Sequence, residues 1–128
     1  MVAWLQKNAP QKYPGLANVT AKRICELARE NDEWATRAVE NEGRYLGYGM
    51  ANLVTIFAPD AIVLGGGVME SAELFWGKIR ETIASSCRFV PYEKTQLVLA
   101  SLGENANLIG AARVWHHRFG SEGDSRVI

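Results

Sequence analysis

The sequence predicts an α/β protein, rich in helix around a short parallel sheet. Three observations carry that expectation. A continuous apolar run, Ala61-Ile62-Val63-Leu64, lies between Pro59 and a glycine triplet, Gly65-Gly66-Gly67, and a helical pattern opens soon after it. Residues 96–101 then offer a second strand, so the order is strand, helix, strand, which connects as a right-handed parallel crossover. Upstream, residues 46–58 read as helix yet carry no charge. Helical turns that are apolar all round are buried on several sides.

The elements follow in order. Ala3 and Lys7 bracket a short helix or the end of one. Residues 8–18 hold Pro10, Pro14 and Gly15 and form a loop. Thr20 offers an N-cap to a helix with Ile24, Leu27 and Ala28 on one face, ending near Glu30. The longest helix starts at Asn31 or Asp32 and stops at Pro59. Trp34, Ala38, Tyr45, Gly49, Leu53 and Phe57 recur on it at helical spacing, as do Ala35, Val39, Leu46, Met50 and Val54. Gly43, Gly47 and Gly49 each cost about 1 kcal/mol against Ala if exposed. They imply close backbone approach by another element, or else a kink or break. Asn52, in the apolar half, needs a hydrogen-bond partner there. The run 61–64 fits a strand buried on both faces. The next helix begins near Ser71 and buries Phe75, Ile79 and Ile83. Pro91 interrupts the following loop. Residues 105–119 make a final helix with Leu108, Ala112, Trp115 and Phe119 at core spacing, and residues 121–128 form a polar tail.

Composition narrows the function classes. A chain of 128 residues suits one domain, and 48% apolar with 22% charged residues is close to the globular average. Lys+Arg and Asp+Glu both number 14. The basic field of a nucleic-acid binder is therefore absent. Apolar stretches such as residues 61–68 are too short to span a bilayer, so no membrane role is expected. No secretory pattern follows Met1. Cys25 and Cys87 lack CxxC spacing and read as free thiols in a reducing compartment, hence a cytoplasmic protein, with a disulfide as the other reading. The two histidines, His116 and His117, are adjacent, so no zinc constellation exists.

The strand–glycine–helix junction is the most informative feature. Ligands of open α/β sheets sit beyond the carboxyl ends of the strands. Glycines there hold nothing off, and a helix N-terminus adds partial positive charge. Residues 65–68 could meet a phosphate, or the base and ribose of a nucleotide; equally, they could form a tight turn with no ligand. Glu70 and Glu73 read as solvated carboxylates near a helix start. Asp60 reads as a turn residue at the amino end of its strand. No Asp, Ser or Cys pairs with a His as a nucleophile, and no Walker or GxGxxG motif occurs.

These residues carry a resemblance. The run Tyr45-Leu46-Gly47-Tyr48-Gly49-Met50-Ala51-Asn52-Leu53-Val54, then Ala58-Pro59-Asp60-Ala61-Ile62-Val63-Leu64-Gly65-Gly66-Gly67-Val68, resembles the C-terminal region of the ROK family of sugar kinases and repressors. Leu102-Gly103 and Leu108-Ile109-Gly110-Ala111-Ala112 are similar to its closing segment. The resemblance implies part of an actin-like ATPase-domain fold, a partial ribonuclease-H-like C-terminal lobe over residues 1–120. Gly65, Gly66 and Gly67 match the family's adenosine motif, with Val68 and Met69 as neighbours of the nucleotide. ATP with Mg is the implied cofactor of the full-length parent. The family's phosphate loop, catalytic Asp, Glu-x-Gly-His sugar motif and Cys-rich zinc motif have no match here. The resemblance thus implies a fragment without its own catalytic residue or zinc site, reaching sugar only through a missing N-terminal part. The parent that the resemblance implies is an ATP-dependent hexose or N-acetylhexosamine kinase. The alternatives are the sensor lobe of a sugar-responsive repressor, or a non-catalytic binding or dimerisation module. A homo-oligomer is expected, with contact around residues 44–50.

Overall fold

Side-chain caps mark the starts of two of the helices. The computed structural model describes residues 1–13 and 19–120. Pro14 and Gly15 of the expected loop, and the tail 121–128, lie outside the described residues. Helix α1 (Val2–Asn8) is followed by α2 (Ala21–Arg29), where Thr20 Oγ1 accepts from the Arg23 amide at 3.2 Å. Asp32 caps α3 (Glu33–Phe57), its Oδ1 accepting from the amides of Trp34 and Ala35, both at 3.0 Å. The same carboxylate takes the Tyr13 hydroxyl and pairs with Lys12 Nζ at 2.8 Å. Burial pushes the Asp32 carboxyl up. The hydrogen bonds from Lys12, Tyr13 and Ala35, with the Lys12 charge, outweigh that and hold it well below the usual carboxylate range. Burial, with the hydrogen bond to Asp32, raises the Tyr13 hydroxyl to about 12.

Helix α3 runs unbroken for 25 residues, so its glycines do not break it. They set its packing instead. A Cβ added at Gly47 would lie 2.6 Å from Thr82 Cβ and 3.1 Å from the Ile79 carbonyl oxygen; one at Gly43 would lie 3.2 Å from Lys78 Cβ. Those partners belong to α4 (Ala72–Ser86), which buries Phe75, Ile79 and Ile83 as the pattern foretold. Gly49 faces open space. Of the two apolar series on α3, the one containing Ala35, Val39, Met50 and Val54 enters the core. Tyr45, Leu53 and Phe57 of the other remain exposed, and Asn52 is solvated, needing no buried partner. At the C-terminus of α2, Arg29 Nη2 donates to Ser71 Oγ at 2.9 Å, and its Nε to Glu73 Oε1 at 3.0 Å. That contact joins α2 to the start of α4. Cys25 and Cys87 are buried free thiols.

Strand β1 (Ala61–Leu64) pairs in parallel with β2 (Gln96–Leu99), Ile62 opposite Leu97 and Leu64 opposite Leu99. A short 3-10 turn (Gly67–Ser71) and α4 form the crossover. Two expectations fail on this side. β1 is not buried on both faces: Leu64 is buried, but Val63 is 64% exposed. Among the described residues no third strand or covering helix lies over it. Helix α5 (Ala106–Phe119) has no buried residue, and Leu108, Trp115 and Phe119 are 72%, 63% and 58% exposed. Its spacing identifies a face suited to burial. Among the described residues nothing supplies the partner, and Trp115 and Phe119 pack on each other at 6.2 Å between ring centres.

Candidate functional site

The carboxyl ends of β1 and β2 lie side by side, and the chain leaves both through glycine-bearing turns. The Ala100 amide donates to the Leu64 carbonyl at 2.7 Å, which holds the two exits together. A Cβ at Gly65 would sit 3.1 Å from Ala100 Cβ, so this glycine permits the close approach. Gly66 has φ +99°, a backbone state that side-chain-bearing residues rarely adopt. Gly67 has neither constraint: its φ is ordinary and an added Cβ would meet nothing within 4 Å.

Between these exits lies a cleft of about 210 Å³, lined by Leu64, Gly65, Gly66, Met69, Glu70, Leu99, Ala100 and Gly103. Its place beyond the carboxyl ends of parallel strands is where open α/β sheets bind ligands. Three of the five residues singled out from sequence, Gly65, Gly66 and Met69, line it. Gly67 and Val68 lie on the other side of the turn. They line an adjoining cleft of about 370 Å³ with Thr20, Lys22, Cys25 and Ser71. Glu70 lines both.

Sequence reading missed the contribution of β2. Leu99, Ala100 and Gly103 enter the cleft because the parallel register ends both strands at one level. The signal was present: a crossover brings the second strand's exit beside the first. Glu73, read as solvated, is tied to Arg29, which holds its carboxyl below the usual range. Asp60 stands at the opposite, amino end of the sheet. Among the described residues no group of three or more His, Cys, Asp or Glu could hold a metal ion.

This geometry has relatives. The ROK family profile matches residues 2–118. A xylose repressor of Bacillus spizizenii is 32% identical over 96 residues, covering 75% of this chain and 25% of the repressor. A glucokinase of Thermotoga maritima is 27% identical over 100 residues, covering 78% and 32% respectively. The chain thus spans about a quarter to a third of the curated relatives it matches. A ROK family glucokinase from Streptomyces griseus, solved in complex with glucose and AMPPNP, superposes with a TM-score of 0.68 at 30% identity, covering 88% of this chain and 36% of that one. The helix-rich, ribonuclease-H-like lobe with a short parallel sheet is therefore a sugar-kinase fold. By a match running almost from end to end of its described residues, the chain belongs to the ROK family.

Proposed function

We propose that this chain is the adenosine-side lobe of an ATP-dependent hexose or N-acetylhexosamine kinase. The observation that carries the reading is the cleft at the joined exits of β1 and β2, walled by Leu64, Met69, Leu99 and Ala100 and opened by Gly65, Gly66 and Gly103. Apolar walls with bare backbone suit a flat base. A volume of about 210 Å³ is below the roughly 300–1,000 Å³ of sites that enclose a whole small ligand, so only part of a nucleotide enters. Gly65, Gly66 and Met69 hold the nucleoside, and Gly67 and Val68 flank it. The similarity to a glucokinase solved with AMPPNP supports the same reading.

ATP bound here would supply the phosphoryl group of the parent reaction, which depends on positioning and charge stabilisation. No described lining residue of the cleft is basic. In this proposal the triphosphate and Mg extend out of it, toward parts of a full-length kinase that also hold the sugar and the general base. A cytoplasmic site of action accompanies the reading; no described helix is long and apolar enough to cross a membrane.

Filling the cleft tests the proposal. Ala100→Leu is expected to weaken adenosine binding about tenfold, the size of a lost apolar and hydrogen-bonded fit. Gly67→Ala should leave binding within about twofold, because its Cβ would point into open space. Binding is read by calorimetry or ligand-observed NMR. Equal affinity in the Ala100→Leu chain would move the site elsewhere. Gly66→Val is a poor probe, since φ +99° makes it strained whether or not a ligand is near. The similarity to a xylose repressor favours one second reading, a sensor lobe. Failure to bind any adenine nucleotide would remove the kinase reading and leave the sensor lobe and the non-catalytic module.

A further inference from the structure

The glycines shape the cleft, but they do not say which way round a nucleoside lies in it. That orientation rests on charge. Among its described lining residues, Glu70 is the one ionisable side chain. It is exposed, as Leu99 is, whereas Leu64 is buried and Met69 and Ala100 are half-buried. Glu70 also lines the adjoining cleft beside Thr20 and Lys22, so it stands on the ridge between the two. Its neighbour Glu73 is engaged by Arg29; among the described residues no cation pairs with Glu70.

A lone carboxylate on the rim repels phosphate and accepts hydrogen bonds without donating any. A purine base suits the apolar walls better than a phosphate does. The sugar carries neighbouring hydroxyls that can donate two hydrogen bonds to one carboxylate. We propose that Glu70 is a specificity-determining residue that accepts hydrogen bonds from the ribose 2′- and 3′-hydroxyls, with the base inside against Leu64 and Leu99 and the phosphates beyond the rim. The inference rests on the nucleoside reading of the cleft and adds to it the orientation and the preference for ribonucleosides. A carboxylate that instead took the exocyclic amine of the base would be indifferent to the sugar hydroxyls.

The test compares adenosine with 2′,3′-dideoxyadenosine on the wild-type chain, Glu70→Ala and Glu70→Gln, by calorimetry or ligand-observed NMR. The solvated position of Glu70 lets both variants fold, which their circular dichroism checks. The wild type is expected to prefer adenosine by about tenfold, the scale of hydrogen bonding to a charged acceptor. Glu70→Ala should bind both nucleosides equally, at the wild-type level for the dideoxy compound. Glu70→Gln, with one carbonyl acceptor, should fall between. A wild-type chain that binds both nucleosides without preference, or a Glu70→Ala chain that keeps the preference, overturns the role of Glu70 and leaves the cleft standing. A wild-type chain that binds neither overturns the cleft reading as well.

Discussion

Between α3 and α4 the helices approach so closely that an added Cβ at Gly47 would reach 2.6 Å from Thr82 Cβ. On the far side of the sheet, Val63 and Val98 stand opposite one another in register, both exposed. The two regions draw on similar apolar residues and reach opposite ends. In the helical layer the facing sides of α3 and α4 are complementary, so Phe75, Ile79 and Val54 are excluded from water, while Tyr45, Leu53 and Phe57 on the outer side of α3 stay exposed. On the sheet side β1, β2 and α5 present apolar faces that none of the described residues covers. The closed region holds the shape, and in the open region the strands end in glycine turns and leave apolar surface exposed.

The comparison can be broken most severely at its closed end. Phe75→Ala empties a fully buried site under α3 and should cost about 3–5 kcal/mol of unfolding free energy, measured by urea titration. A loss below about 1 kcal/mol would mean that the layer is loosely packed. Gly47→Ala should cost about 1–3 kcal/mol, because the helices must part. Gly49→Ala, two residues on in the same helix but facing open space, should instead stabilise by about 1 kcal/mol.

Capping of α3 sharpens the comparison through pH. The native Asp32 carboxyl ionises below its unfolded value, so its contribution is present above about pH 4 and is lost as pH falls toward its native value. Asp32→Ala should cost about 1 kcal/mol at neutral pH, and the difference from wild type should shrink below about pH 4. The Tyr13 hydroxyl, raised from 10.0 to about 12, acts in the opposite sense: its contribution is present below pH 10.0 and is lost as pH rises toward about 12. Melting temperatures across both windows check the two signs.

The smallest change in folding stability belongs to the open side. Trp115→Ser should alter unfolding free energy by no more than about 0.5 kcal/mol, since α5 buries nothing in this chain. We propose that a second copy covers the exposed side of α3, with contact around Tyr45 and Tyr48. Light scattering over a dilution series should show self-association that Tyr45→Glu weakens. A cooperatively folding monomer at low micromolar concentration would remove that proposal.

Much of this architecture was legible in the sequence, for reasons that also explain what was not. Thr20, Asp32 and Pro59 bound helices through local chemistry, so those boundaries were readable within a residue or so. The parallel strand order followed from the crossover rule. Gly43 and Gly47 announced a close helix contact, but Gly49, of the same type and two positions on, points into open space; spacing alone does not assign a face. The apolar spacing of α5 and the run in β1 were read as burial. Periodicity reports that a face is apolar, not that a partner is present. In the site, Gly65 and Gly66 were legible because the triplet follows a strand. Ala100 and Gly103 became visible only once the register set both strand ends together, and the place of Glu70 only once it lined both clefts.

The central claim is that the nucleoside site lies at the open carboxyl end of the sheet, while the helical layer serves as its support. Amide NMR spectra recorded during an adenosine titration test it most directly. The account expects saturable shifts at Gly65, Gly66, Met69, Ala100 and Gly103, with Gly43, Gly47 and the amides of α1 unmoved. Shifts gathered instead along the exposed face of α3, at Tyr45 and Leu53, or no saturable shifts at all, would contradict it.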